Sequence, residues 1–268
     1  MEIISSERNL GSAGGYSAIL TQFLNGTESH IMLLDDDNVV KVGTTGPAVA
    51  LLDLIDGPTA VYRPDRKYMR DAIQQGILRQ NPPVGSVLGF DFLYTFKRAV
   101  GRGDDKIKHE GEIYLSEAPY SGLILPREVV KNNELPLESF FLYADDSEYT
   151  QRIGRNYKGI KLLPSLSLEE PDTSWNVGKG RNAFILKTIK GSNSTTLYYS
   201  IRNRIYLDLK KLNNSQGWTR NLKRLRFQAN LAFVRLLFTC VCRGTKRFVL
   251  KSAIEDGLSG KLGKRELI

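Results

Sequence analysis

The clearest pattern in the chain is an apolar stripe at helical spacing, followed by a short continuous apolar run. The stripe comprises Tyr16, Ile19, Leu20, Phe23 and Leu24, with Asn25-Gly26 after it as a stop signal. The run His30–Leu34 is typical of a short buried strand and leads directly into Asp35-Asp36-Asp37. This predicts a helix and a strand with carboxylates at the strand's carboxyl end, where open α/β sheets bind their ligands.

The remaining periodicity predicts an α/β chain whose last part is helical. A loop of small residues, 9–15, precedes the first helix. Further helices are predicted over residues 47–55, 68–80, 126–132 and 146–156, strands over 84–97 and 159–163, loops over 102–112 and 166–175, and helical structure from residue 198 onward.

Charge divides the chain into an acidic part and a basic part. Its 268 residues carry a formal net charge of +9, yet residues 202–268 hold 16 Lys or Arg against 4 Asp or Glu. The basic part is therefore predicted to form a separate surface with its own role.

Cys240 and Cys242 are too close in sequence for a comfortable disulfide, which favours a reducing, cytoplasmic location.

Three acidic segments are candidates for chemistry. Asp35 and Asp37, spaced i and i+2 at a strand end, can hold a hard divalent cation and leave positions open for a diphosphate. A solvated acidic turn is the alternative. Asp145-Asp146 follows an apolar segment, so partial burial can raise a carboxyl pKa towards that of a useful base. A helix N-cap is the alternative there, and both descriptions can hold together.

The third acidic segment is the stretch 169–175, which contains Glu169, Glu170 and Trp175. It offers carboxylates and an aromatic side chain on a predicted loop. An ordinary acidic surface loop is the alternative. The loop of small residues that includes Gly14 and Gly15 is a weaker candidate, because such loops before helices are often simple turns.

Taken in order, these features resemble a known enzyme family. The matching segments are Asn9-x-Gly11-x-Ala13-Gly14-Gly15-Tyr16, the strand ending in Asp35-Asp36-Asp37, Pro119-Tyr120-x-Gly122, Leu135-Pro136, Phe140-Phe141-x-x-x-Asp145-Asp146-x-Glu148-Tyr149 and Tyr199-x-x-Arg202-Asn203. The set is similar to family 2 glycosyltransferases, most closely to the bacterial galactofuranosyltransferases and rhamnosyltransferases that build cell-surface glycans. It spans residues 3 to about 210.

The resemblance implies a fold and an activity. The expected fold is α/β of the GT-A type, a mixed sheet flanked by helices over residues 1–200, with a basic helical region over residues 201–268. The expected activity is inverting transfer of a galactofuranose-like or rhamnose-like sugar from a UDP or dTDP donor to a glycan or lipid-linked acceptor. Mn²⁺ or Mg²⁺ would neutralise charge on the leaving diphosphate.

It also implies roles for single residues. Asp35 and Asp37 match the family's metal ligands, and Asp146 matches the general base that deprotonates the acceptor hydroxyl. The expected donor contacts are Gly14, Gly15 and Asp36, and the expected acceptor contacts are Asp145 and Trp175.

Two departures from the family pattern accompany the resemblance. Relatives place a histidine metal ligand after the last core strand, where this chain has Glu169 or Glu170 as possible substitutes. Relatives also begin with strands that hold the nucleotide base, whereas this chain starts at about the third strand. The expectation is an incomplete N-terminal half-site, and an inactive truncated remnant is therefore an alternative.

Single features of the chain fit different functions. The segment Leu33–Val39 fits the nucleophile motif of haloacid dehalogenase-type phosphatases, with Lys158 or Lys161 as the required lysine. The basic C-terminal region fits a nucleic-acid-binding module, although no binding motif supports it and no nucleic-acid partner is expected. Residues 202–251 mix cations with apolar side chains, which predicts peripheral contact with the inner face of a membrane.

Overall fold

The structure is a computed structural model that describes residues 3–40, 50, 55–79, 82–100, 106–108, 111–169 and 193–266. Most of the predicted helix over 47–55 and the predicted loop beyond Glu169 lie outside the described residues. Glu170 and Trp175 lie outside them as well.

The chain forms two compact units that interleave along the sequence. Unit 1 comprises Met1–Gln80, Lys106–Glu138 and Asp145–Val177, and unit 2 comprises Asn81–Asp105, Ser139–Ala144 and Gly178–Ile268. This division differs from the linear one drawn at residue 200, because two short segments from the middle of the chain belong with the C-terminal helices.

Unit 1 is a mixed α/β structure, as predicted. Its helices are α1 (Gly11–Asn25), α2 (Lys67–Gln75), α4 (Arg127–Lys131) and α5 (Asp145–Gly154). Its strands are β1 (His30–Leu33), β2 (Val39–Val40), β3 (Thr59–Tyr62), β4 (Ile77–Arg79), β5 (Lys106–Lys108), β6 (Ile113–Leu115), β7 (Leu123–Pro126) and β8 (Ile160–Glu169).

Six strands form the main sheet in the order β1-β7-β3-β8-β2, with β6 also on β8. Among the strand pairs that the structure describes in this sheet, only β3–β8 is parallel. Leu123 and Leu125 of the central β7 are fully buried, together with Leu20 of α1. At the start of β7, Gly122 has a φ of 83°, and a Cβ there would lie 3.2 Å from the Cβ of Val61. Only glycine fits between β1 and β3 without strain.

Several predicted elements were wrong in their type or bounds. The loop over residues 9–15 is wrong from Gly11 on, where α1 begins. The polar loop from residue 166 is wrong as far as Glu169, because Leu166 and Leu168 alternate into the core as part of β8. The loop over 102–112 contains β5, which pairs with β4.

The predicted strands over residues 84–97 contain a helix instead, α3 (Phe92–Ala99). The carboxylate of Asp91 accepts a hydrogen bond of 2.8 Å from the backbone N–H of Tyr94, which is the arrangement of an N-cap. The alternating pattern of apolar residues concealed this start signal.

Unit 2 is helical in its described part. Besides α3 it contains α6 (Ser194–Asn213), α7 (Arg220–Val241) and α8 (Thr245–Ser259). Helices α6 and α8 approach closely, since a Cβ at Gly257 would lie 2.6 Å from the carbonyl oxygen of Arg202. Among the helices that the structure describes, none is both long enough and apolar enough to cross a membrane.

The loop Ser139–Ala144 of unit 2 has an unusual backbone that is held by two buried side chains. Phe141, Tyr143 and Ala144 adopt φ values of 63°, 65° and 61°, a region that side chains other than glycine rarely occupy. Such residues persist where their surroundings fix them, at a cost of about 1–3 kcal/mol each.

The surroundings of this loop are supplied by α6. The amide nitrogen of Asn203 donates to the carbonyl oxygens of Phe140, Leu142 and Tyr143 at 3.0, 2.7 and 2.7 Å. The guanidinium of Arg202 donates to Phe140 O at 2.8 Å. Both side chains are fully buried. We call Arg202 and Asn203 the loop clamp.

The clamp predicts a specific stability effect. Asn203→Ala removes the shared donor of three carbonyl groups, and we expect the free energy of unfolding to fall by about 2–4 kcal/mol. Urea denaturation followed by circular dichroism measures this. The exposed Asn213 at the end of the same helix is the matched control, and Asn213→Ala should change stability by less than about 0.5 kcal/mol. Equal effects of both substitutions would contradict the clamp.

Candidate functional site

Asp35 and Asp37, the predicted metal ligands, lie with Asp36, a predicted donor contact, in a tight turn between β1 and β2. The N–H of Asn38 donates to the carbonyl oxygen of Asp35 at 3.3 Å, and the Asn38 side-chain oxygen accepts from the N–H of Asp35 at 2.8 Å. Asp35 is half-buried, whereas Asp36 and Asp37 are exposed. The turn therefore holds its backbone by itself and leaves two carboxylates facing solvent.

The buried side chain of Arg63 is connected to this turn through Ser121. Ser121 donates its hydroxyl hydrogen to the side-chain oxygen of Asn38 at 2.6 Å, and Arg63 donates in turn to Ser121. The Arg63 guanidinium is fully buried and pairs with Asp65 at 2.9 Å. A positive charge thus lies one hydroxyl group away from the turn.

Tyr16 of α1 connects this turn electrostatically to the second pair of acids. Its hydroxyl hydrogen-bonds to the carboxylate of Asp35 and lies 3.1 Å from the carbonyl oxygen of Leu34. Burial raises the pKa of Tyr16 far above its usual value, helped by the Asp35 hydrogen bond and by the charges of Asp35, Asp145 and Asp146. The hydroxyl group of Tyr16 therefore interacts electrostatically with two acidic segments, one at Asp35 and one at Asp145-Asp146, which lie 110 positions apart in sequence.

Asp145 is the most perturbed acid of the site. It lies in the first turn of α5, only 4% exposed, and accepts a hydrogen bond of 2.9 Å from the hydroxyl of Ser12. Burial, and after it the charge of Asp146, raise the pKa of Asp145 to about 7, against the opposing effect of the Ser12 hydrogen bond. This carboxyl group therefore changes its protonation near neutral pH.

Asp146 has a different environment from its neighbour. Its side chain is half-exposed, and its carboxylate accepts a hydrogen bond of 2.6 Å from the N–H of Ser147. Both aspartates belong to the first turn of α5, where negative charge is favoured by the helix dipole. The helix-terminus role and a chemical role are thus compatible here.

An aromatic wall completes the described site. The Tyr120 ring packs on Tyr16 at a centroid distance of 4.1 Å and lies 6.1 Å from Tyr149. The hydroxyl groups of Tyr120 and Tyr149 are buried and have no hydrogen-bond partner in the part of the chain that the structure describes. Buried hydroxyl groups normally have one, so these two call for a ligand or water.

The remaining predicted site residues are distributed more widely. Gly14 is buried in α1, where a Cβ would lie 2.9 Å from the Cβ of Leu10, while Gly15 has open space beside it. Glu169 ends β8 directly opposite Val39, two residues after Asp37. No group of three His, Cys, Asp or Glu side chains that could hold a metal ion lies among the described residues.

Sequence reasoning missed the groups that join the acids together. Tyr16, Tyr120 and Gly122 stood in the motif segments without an assigned role, and Ser12 was hidden among small residues. Arg63 carried no signal at all, because a single arginine in a weakly patterned region looks like any exposed cation. Its burial depends on Ser121 and Asp65 and becomes visible only in three dimensions.

A scan against models of known protein families finds no match to this chain, and a search of curated proteins finds none with significant sequence similarity.

The perturbed carboxyl group predicts a pH-dependent stability. Because the folded pKa of Asp145 lies above its unfolded value, its favourable contribution is complete below about pH 4 and is lost as the pH rises through about 7. Asp145→Asn removes this loss. We expect the variant to gain on the order of 2–4 kcal/mol over the wild type between about pH 4 and about pH 8.

Chemical denaturation across that pH range measures the difference in unfolding free energy. Asparagine can still accept the Ser12 hydrogen bond, so the change isolates the charge. Asp56 is exposed in the same unit, and Asp56→Asn is the control that should give a flat difference. A flat difference for Asp145→Asn would show that the burial of its carboxylate is unimportant.

Proposed function

We propose that the protein is a metal-dependent inverting glycosyltransferase acting on a nucleotide-diphosphate sugar. The observation that carries the proposal is the link through Tyr16, which hydrogen-bonds to Asp35 and is influenced by the charges of Asp145 and Asp146. Transfer needs a metal site for the diphosphate close to a base for the acceptor, and these are the two acidic segments that Tyr16 joins.

The donor side of the site is the turn at Asp35–Asn38. Asp35 and Asp37 would hold Mn²⁺ or Mg²⁺, which would neutralise charge on the departing diphosphate of a UDP-sugar or dTDP-sugar. Asp37 is exposed and suits a hard cation that keeps water and phosphate ligands, and the exposed Asp36 is the proposed donor contact beside it. The strand pairing of Val39 with Glu169 supports Glu169 as a further oxygen ligand.

The acceptor side is the first turn of α5. Asp146 is the proposed base because it is only half-buried and therefore more accessible to an acceptor hydroxyl than Asp145, which is almost completely buried. The resemblance assigns Asp145 to the acceptor sugar, and its burial limits that role to the 4% of its surface that is exposed. The hydroxyl of Tyr120, which has no hydrogen-bond partner among the described residues and whose pKa is raised by burial and by both aspartates, is a further candidate for an acceptor contact.

The competing phosphatase assignment gains less support. It requires a lysine beside the acidic turn, and the candidate Lys161 donates a 2.5 Å hydrogen bond to Glu112 while Lys158 lies over the ring of Tyr114. Both lysines are therefore engaged with side chains at β6.

An inactive remnant of a glycosyltransferase is the second candidate, and measurements of nucleotide binding and of sugar transfer distinguish it from an active enzyme. A cytoplasmic location is part of the proposal.

Metal dependence is the first test. We expect Mn²⁺ to raise the affinity of the chain for UDP or dTDP in calorimetry, and Asp37→Ala to abolish this increase because it removes a ligand. Asp56→Ala, which removes an exposed carboxylate outside the turn, should leave it intact. Nucleotide binding that is unchanged by EDTA would remove the metal role.

Base catalysis is the second test. With UDP- or dTDP-sugars and a glycan acceptor, Asp146→Asn should lower turnover by about 10²–10⁴-fold while donor affinity stays unchanged. Asp145→Asn should retain more turnover and shift its pH profile. If Asp145→Asn is the inactive variant, the two roles are reversed. If the wild type binds Mn²⁺ and nucleotide yet transfers no sugar to any acceptor, the chain is an inactive remnant.

A further inference from the structure

Helix α7 of unit 2 carries two apolar stripes, one buried in the core and one mainly at the surface, where Phe233 alone stacks on a core residue, Phe90, at a ring-centroid distance of 4.7 Å among the described contacts. The buried stripe consists of Phe227, Leu231, Val234 and Phe238. The second stripe consists of Leu222, Leu225, Ala229, Phe233 and Leu236, all exposed. An amphipathic surface helix normally presents polar residues opposite its core face, so the second stripe indicates a further apolar partner.

Helix α3 extends this stripe into a wider surface. Phe92 and Leu93 are 58% and 52% exposed and line, together with Leu222, Leu225 and Phe233, a groove of about 760 Å³. We call these five residues the apolar patch. A contiguous exposed surface of large apolar side chains is uncommon unless something binds there.

The patch is held rigidly in its exposed form. Arg226 forms two hydrogen bonds, of 2.5 and 2.6 Å, to the buried carboxylate of Asp91, the N-cap of α3. Asn230 accepts from the N–H of Phe92 at 2.9 Å and donates to Asp91 at 2.9 Å. The two helices are therefore fixed before any partner arrives, which lowers the ordering cost of binding.

Charge identifies the kind of partner. Residues 209–254 contain eleven Lys or Arg and no Asp or Glu. Within α7, Lys223 lies in the groove, and Arg220 and Arg224 are exposed beside the patch. Trp218, just before α7, is 96% exposed, and tryptophan is favoured at the boundary between water and lipid. A partner that matches this surface carries anionic groups for the cations of α7 and an apolar region for the apolar patch.

We propose that this face of unit 2 docks on an anionic lipid bilayer, with the apolar patch inserted between headgroups and the cations of α7 against lipid phosphates. A bilayer supplies both chemistries at one surface. Nucleic acid also supplies the anions, but it takes up apolar side chains one at a time, stacked on or wedged between bases, and provides no continuous apolar layer for a patch of leucine and phenylalanine. The inference does not rest on the proposed enzymatic activity.

The test is flotation of the full chain with vesicles. We expect binding to phosphatidylcholine vesicles that contain about 30% phosphatidylglycerol, weak binding to pure phosphatidylcholine, and weakening by added salt because the attraction is screened. Leu222→Glu and Leu225→Glu should each lower the bound fraction at least about tenfold. Ile19→Glu is the matched control, since it puts the same charge at an exposed apolar position of α1 in unit 1.

A charge variant and two alternative partners complete the test. Arg224→Gln should weaken binding to anionic vesicles with no effect on circular dichroism, which keeps the test valid if a leucine variant fails to fold. Equal binding of wild type and both leucine variants overturns the proposal. So does salt-sensitive binding to duplex DNA without vesicle binding, or a dimer in solution that Leu222→Glu dissociates without any vesicle binding.

Discussion

Two carboxyl groups at adjacent positions, one of them almost fully buried, impose the main constraint on unit 1. A buried negative charge beside a second one is costly, so Asp145 needs either a proton or a compensating donor. Ser12 supplies the donor from the first turn of α1. The same helix then carries Tyr16, one turn further along, to the carboxylate of Asp35. Helix α1 therefore contacts both acidic segments, Asp145 through Ser12 and Asp35 through Tyr16.

The backbone of the segment just before Asp145 is conformationally strained, which is a second energetic cost. Phe141, Tyr143 and Ala144 have left-handed backbones immediately before it. The loop clamp offsets this cost by satisfying the carbonyl groups that the unusual path leaves without strand or helix partners. Strained backbone held by fully buried polar side chains is common beside functional residues. The position of this loop directly before the most perturbed carboxyl group agrees with that association.

Unit 2 shows how one helix can serve a core and a surface together. The buried stripe of α7 packs in the helical core, whereas the second stripe stays largely exposed although α3 borders it and Phe233 stacks on Phe90. A net positive charge on such a surface opposes association between copies and favours anionic partners. The ion pair of Arg226 with Asp91 uses one of these cations internally, so not every basic residue of α7 belongs to the surface.

The sequence by itself determined the mixed α/β character, the first helix and strand, the acidic turn at the strand end and the basic helical C-terminal part. These depend on local periodicity and on charge counts, which neighbouring residues reveal. It did not determine α3, the length of β8 or the interleaved units, because each depends on partners far along the chain: Arg226 for Asp91, Val39 for Glu169, and Asn203 for the loop before Asp145. The apolar segment before Asp145-Asp146 indicated partial burial of this pair, but only the tertiary structure decided that Asp145 is the more buried of the two, that Arg63 supports the turn and that Tyr16 joins two acidic segments. Burial and hydrogen bonding between distant positions set those properties, and no local pattern encodes them.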